Sequence, residues 1–302
     1  MKKILLTSLA LTASVLASPY SCDPHQEECS TEGVVIADQT TVNEVVTSTS
    51  RMDLANDSSK TAVVGGEYIH TGDIKIVNIP MGYNITQNIG LEASVPFVSV
   101  SDYPLWDAAS SSFIGQDNMG LGDISIGANY HFGSYESDYG LNVTTFRYKT
   151  STGDETKGLG LGKDAYTLSH NIAKEMGFAR VHGLLAYTLN DDTVLGDSLT
   201  AMVGFSRPCL LSDKVRTNMK LTYYNLENTI RDDGFLNTPE YKKIDFWLEF
   251  NSDRLISGIP IGAGIKIPIV DEVTTMLWDG TSKTLDGSKT VLFYLSVGSF
   301  FD

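Results

Sequence analysis

Ten residues with acid, base or ion-binding chemistry recur at alternate positions of otherwise apolar segments: Glu92, Asp123, His131, Arg180, His182, Arg216, Lys220, Asp245, Glu249 and Lys266. Such groups can move protons, pair with one another or line a path for solutes. They do not assemble a catalytic set in the sequence. Hydrolysis by a serine needs a Ser and a His within hydrogen-bond reach on one face. Ser169 and His170 are adjacent, so on a strand they point to opposite faces. The remaining histidines, His25, His70, His131 and His182, are scattered, and no His-x-Ser pair occurs. The run Gly158-Leu159-Gly160-Leu161-Gly162 could cradle a phosphate only between a strand and a helix, with an acidic residue about 20 positions on. An alternating strand pattern follows it instead, which makes it a loop.

Cys22 and Cys29 could close a small disulfide loop in an oxidising compartment, and Cys209 stands alone. Two cysteines without a matching Cys or His pair make no zinc site. The expectation is therefore no catalytic residues, no cofactor and no metal.

The elements that carry the ten residues have period two. From Asn88 to Ser101, Ile89, Leu91, Ala93, Val95 and Phe97 oppose Gly90, Glu92 and Ser94. From Gly258 to Val270, six apolar residues from Ile259 to Ile269 oppose Pro260, Gly262, Gly264 and Lys266. Twelve such segments fit, at about 61–70, 74–83, 88–101, 120–132, 138–150, 164–172, 178–190, 198–207, 214–225, 241–251, 258–270 and 289–301. Short turns at 84–87, 133–137, 174–177, 208–213 and 252–257 alternate with mostly longer connections at 102–119, 151–163, 191–197, 226–240 and 271–288. Bacterial outer-membrane barrels have short periplasmic turns, long outer loops and strands of about ten alternating residues. The predicted fold class is all-β: a transmembrane antiparallel β-barrel of 12 strands spanning 60–302.

The N-terminus gives the compartment. Lys2 and Lys3 precede an apolar stretch from Ile4 to Ala17, with Val15 and Ala17 before a cleavage point. This describes a secretory signal peptide over 1–17; the stretch is short of the roughly 20 residues of a spanning helix. A lipoprotein signal ending at Cys22 is the rival. Residues 18–59 are rich in Ser, Thr, Glu and Asp and read as a polar N-terminal extension. Losing Lys2 and Lys3 with the signal takes the formal charge from −15 to −17. That acidity excludes nucleic acid as a partner. It does not exclude a membrane, because alternation hides a barrel from hydropathy. The last strand, TVLFYLSVGSFFD, aligns Val291, Phe293, Leu295, Val297 and Phe301. It resembles the terminal signal read by the outer-membrane assembly machinery, with Asp302 one residue past the usual aromatic end.

Three patches carry a family resemblance: NIPMGYNITQNIGLEASVPFV (Asn78 to Val98), GLGDISIGANYHF (Gly120 to Phe132) and KTSTGDETKGLGLGKDAY (Lys149 to Tyr166). They resemble the outer-membrane proteins named for the meta-pathway of phenol degradation, often simply called transporters. In the third patch Ser151 stands where the family has proline, and Leu161 where a small hydroxyl residue is common. The resemblance implies a barrel and, more distantly, aromatic solutes.

Alternation turns the ten polar residues inward. In one reading they pair across the interior and brace the barrel, since an unpaired buried charge is costly. In the other they line a solvated pore and tune its selectivity. Tyr68, Tyr83, Tyr130, Tyr187 and Tyr223 are candidates for an interfacial girdle, whereas Trp247 falls on the inward parity. The leading function is a passive outer-membrane channel for small or hydrophobic solutes, with lipid as its surroundings. The alternatives are a structural or surface-binding barrel and, third, a barrel hydrolase. Oligomeric state is not encoded in any feature found.

Overall fold

A computed structural model describes the chain from Thr61 onward, apart from 72–73, 108–111, 155–156, 161–162, 191–196, 210–211, 228, 231–235, 239, 257–258, 277–281, 287–290 and 302. The signal peptide, the 18–59 extension and the Cys22–Cys29 pairing lie outside the described residues.

Among the described residues sixteen strands form in chain order: β1 (Ala62–Thr71), β2 (Ile74–Asn84), β3 (Ile89–Asp107), β4 (Ser112–Leu121), β5 (Ser125–Phe132), β6 (Leu141–Lys149), β7 (Ala165–Glu175), β8 (Arg180–Asn190), β9 (Ser198–Cys209), β10 (Ser212–Leu226), β11 (Thr229–Ile230), β12 (Leu236–Thr238), β13 (Glu240–Ile256), β14 (Ile259–Met276), β15 (Ser282–Asp286) and β16 (Leu292–Phe301). Twelve of them close a ring in the order β1, β2, β3, β5, β6, β7, β8, β9, β10, β13, β14, β16. Every pairing is antiparallel, and β13 with β14 and β16 with β1 complete the circle. Closure lets every strand satisfy its backbone within the sheet, which hydrocarbon demands of anything that crosses it. No described helix is long and apolar enough to cross a membrane.

The side chains sort as a barrel in lipid requires. Phe97, Ile126, Phe146, Leu168, Leu185, Val203, Leu221, Phe250 and Phe293 are all exposed, on nine different strands of the ring. Such a continuous apolar surface is untenable in water and is satisfied by acyl chains. Tyr83, Tyr130, Tyr187 and Tyr223 are exposed with them, and Tyr68 is half-buried.

The strand boundaries match expectation with one class of exception. The stretch 120–132 is not one strand. β4 pairs only with the outer end of β3, and the chain breaks at Gly122–Ile124 before β5 takes over the barrel wall. β15 likewise pairs only with the outer end of β14. The connections at 102–119 and 271–288 therefore contain hairpins that prolong the sheet beyond the ring. Their Asp, Gly and Ser content hides this, because a hairpin outside the hydrocarbon needs no apolar face. Chain closure is uneven: β1 meets β16 over five pairs, Ala62–Phe301 to Gly66–Val297, whereas β10 meets β13 over eleven.

Candidate functional site

The barrel interior is the concave surface that the fold offers, and the ten polar candidates all sit on it or at its mouth. Glu92, His131, Lys220, Asp245, Glu249 and Lys266 are buried, as is Asp123 in the break between β4 and β5. Arg180, His182 and Arg216 are partly exposed on the inner parity of β8 and β10.

The structure brings several of them into pairs. Arg147 Nε donates to Glu92 Oε1 at 2.8 Å, across Gly127, which lies between them in register. Lys220 Nζ donates to Glu249 Oε1 at 2.7 Å, and Asn218 Nδ2 reaches Oε2 of the same carboxylate at 3.3 Å. Lys266 lies 3.1 Å from Asp245 and 5.4 Å over the Trp247 ring. On β1, Glu67 accepts from Asn78 Nδ2 at 2.9 Å, and Asn78 in turn accepts from the Ser94 hydroxyl. His131 stays apart from these, against Asn129. Sequence reasoning does not single out Glu67, Arg147 and Glu175; the inward parity of their strands is the signal that marks them.

Apolar residues also point inward, which a two-faced strand pattern does not anticipate. Ile69, Ile74, Ile76, Val98, Val100, Leu159, Leu184, Ala186, Met202, Trp247, Leu292 and Tyr294 form one buried cluster. It draws on β1 to β3 and on β8 and β9, which lie on opposite sides of the ring. An apolar septum therefore spans the interior, and Trp247, wholly buried, packs edge-on against Tyr294 at 6.2 Å.

Leu159 reaches the septum from a loop. The connection after β6 folds onto the barrel mouth, where Asp123 Oδ1 accepts from the Gly153 amide at 2.9 Å. Thr152 Oγ1 donates to the Gly122 carbonyl and accepts from the Ile124 amide. Lys149 Nζ stands 3.8 Å from Asp123. The glycine run is an adaptation to this contact: a Cβ on Gly160 would lie 2.3 Å from Asp123 Oδ1. At the loop's far end the Tyr148 hydroxyl and the Ser151 amide donate to Asp164, and these bonds, the tyrosine's foremost, hold its carboxyl below the usual aspartate range.

Ser169 is buried inside the barrel, and His170 is exposed outside it, where it meets Thr144. Among the described residues no group of His, Cys, Asp and Glu is arranged to hold a metal.

No protein-family model matches this sequence, and no curated protein does. Solved structures do match in fold. The COG4313 outer membrane channel from Pseudomonas putida F1 superposes with a TM-score of 0.59 at 13% identity, covering 80% of this chain and 96% of that one. The KdgM porin covers 80% of this chain and 99% of its own at 9% identity, with a TM-score of 0.48. The chain thus shares the closed antiparallel β-barrel fold of the first of these structures.

Proposed function

We propose that this protein is a passive outer-membrane channel for small solutes, apolar or aromatic ones among them. The observation that carries the reading is the closed ring of 12 strands with lipid-compatible residues outside and a mixed polar and apolar interior. The resemblance of Asn78–Val98, Gly120–Phe132 and Lys149–Tyr166 to the phenol-degradation barrels supports aromatic solutes. In the same reading, residues 1–17 direct export, 18–59 form a periplasmic extension in which Cys22 and Cys29 pair, and 60–302 form the barrel. The C-terminal strand engages the assembly machinery.

The test is current through the purified protein in a planar bilayer, together with solute flux into vesicles; absence of both overturns the channel. Heat-modifiable mobility of the membrane-extracted protein on gels tests location and closure. A second reading, a surface-binding barrel, is favoured by the β3–β4 and β14–β15 hairpins, which carry sheet beyond the ring. Trimming both hairpins abolishes binding in that reading and leaves flux unchanged.

A further inference from the structure

The middle of the septum is not wholly apolar. On β13, Trp247 lies in register between Lys220 of β10 and Lys266 of β14. Two residues away on the same face, Asp245 lies between Thr222 and Pro268. Trp247, Asp245 and Thr222 are 0%, 1% and 1% exposed. The lysines are engaged: Lys220 lies over Gly204 and donates to Glu249, and Lys266 reaches Asp245 Oδ2. Pro268 brings no N–H, and the register shifts between Ile244 and Asp245, so the wall is irregular beside Asp245.

Three atoms of this group are left over. Among the described residues, Trp247 Nε1, Thr222 Oγ1 and Asp245 Oδ1 find no hydrogen-bond partner, and all three are shut off from water. Lys243 Nζ stands 3.9 Å from Asp245 Oδ1, too far to donate. The three are a donor, an acceptor and a hydroxyl that is both. A polar atom buried without a partner keeps its full desolvation cost, whereas the same atom in water keeps none of it. The cost falls on the closed arrangement, and Trp247 is the ring that closes it, packed edge-on against Tyr294 and covered by Lys266.

We propose that the Trp247 indole is the movable gate of this barrel, and that the unpaired atoms of Trp247, Thr222 and Asp245 bias it toward opening. The structure holds the closed form. Swinging the ring out of the septum lets water reach the three atoms together, so the open form is relieved of a penalty that the closed form carries. The packing of the ring opposes this, and the balance of the two sets the fraction of time the gate stands open. The inference rests on the channel reading and deepens it, by assigning the side chain that yields and the polar atoms that make it yield.

The test is single-channel current of the full chain in a planar bilayer, native against T222V, T222S and W247F. T222V keeps the shape of the side chain and removes its hydroxyl; it lowers the open fraction several-fold and raises the temperature at which the folded gel band converts. T222S keeps the hydroxyl and stays at least as open as the native protein. W247F removes Nε1 and also shrinks the ring. Size alone raises the open fraction and loss of the unpaired donor lowers it; the expected result is the lower one. Heat-modifiable mobility shows that each variant is folded. A T222V protein that is open as often as the native one makes the unpaired hydroxyl a structural cost only and overturns the proposal, as does a W247F protein that is open more often. If T222V does not fold, W247F decides by the same criterion. Native current with either of those results removes the gate and leaves the channel, whereas no current from the native protein removes both.

Discussion

At the scale of single residues, the interior depends on charges that are buried only because they are paired. Arg147 and Glu92 can meet because Gly127 stands between their strands, where a Cβ would come within 2.9 Å of Glu92 Cγ. Removing one member of such a pair leaves the other uncompensated, at a cost of about 3–5 kcal/mol. E92Q is therefore expected to lower the temperature at which the folded gel band converts to the unfolded one. The double variant E92Q/R147M is expected to recover part of the loss, and full additivity of the two changes shows that the pair is not coupled. Trp247 offers a different lever. W247A removes a wholly buried side chain from the septum, at about 3–5 kcal/mol of stability, while it raises bilayer conductance several-fold; a conductance no higher than that of the native protein places the constriction elsewhere.

At the scale of elements, the loop after β6 is held at both ends by carboxylates, Asp123 and Asp164. Asp164 is depressed below its ordinary value of 3.8 by Tyr148 and Ser151. A depressed acid contributes stability that is complete above its unfolded value and is lost as pH falls through the folded one. Current is thus expected to be flat from pH 8 down to about 4, by this linkage, and to rise below it as the loop loosens. D123A is expected to show the raised current at pH 7. A low-pH current identical to that at neutrality separates the loop from the constriction.

The same elements show what a sequence can convey. Alternation in Ile89–Phe97 or Phe178–Asn190 is dictated by two solvents, lipid outside and polarity inside, so the inward turn of Glu92 and Arg180 is legible from parity alone. Near the outer ends the code lapses: Ile76 and Val77, or Phe97 and Val98, are apolar on both faces, one for lipid and one for the septum. Nothing local distinguishes that from a fully buried strand. The seat of Lys220 over Gly204 is illegible for another reason: it is made by cross-strand register, and a missing side chain leaves no periodic signal.

At the scale of the molecule, 12 strands stand between barrels that side chains fill and barrels that hold an aqueous channel. Here the filling wins at mid-height, where Trp247, Glu249, Asp245 and Lys266 are almost wholly inaccessible. Solute passage through this barrel therefore requires side chains or the Leu159 loop to yield, which favours slow, selective permeation over bulk diffusion.

The five pairs between β1 and β16 carry a consequence of their own. The β3–β5 and β14–β16 seams, of six pairs each, are nearly as short, so the hoop has three weak joints at which heat, denaturant or a wedge of lipid acts first. Stapling the β1–β16 clasp with V64C/S299C, two positions that face each other across it, is expected to raise the conversion temperature of the gel band by several degrees and to lose the gain in reductant. An unchanged temperature means that rupture begins at another joint. The clasp also lies at both extremities of the strand circle, so the first and last strands can be fastened as the final act of biogenesis, after the ten between them have already zipped.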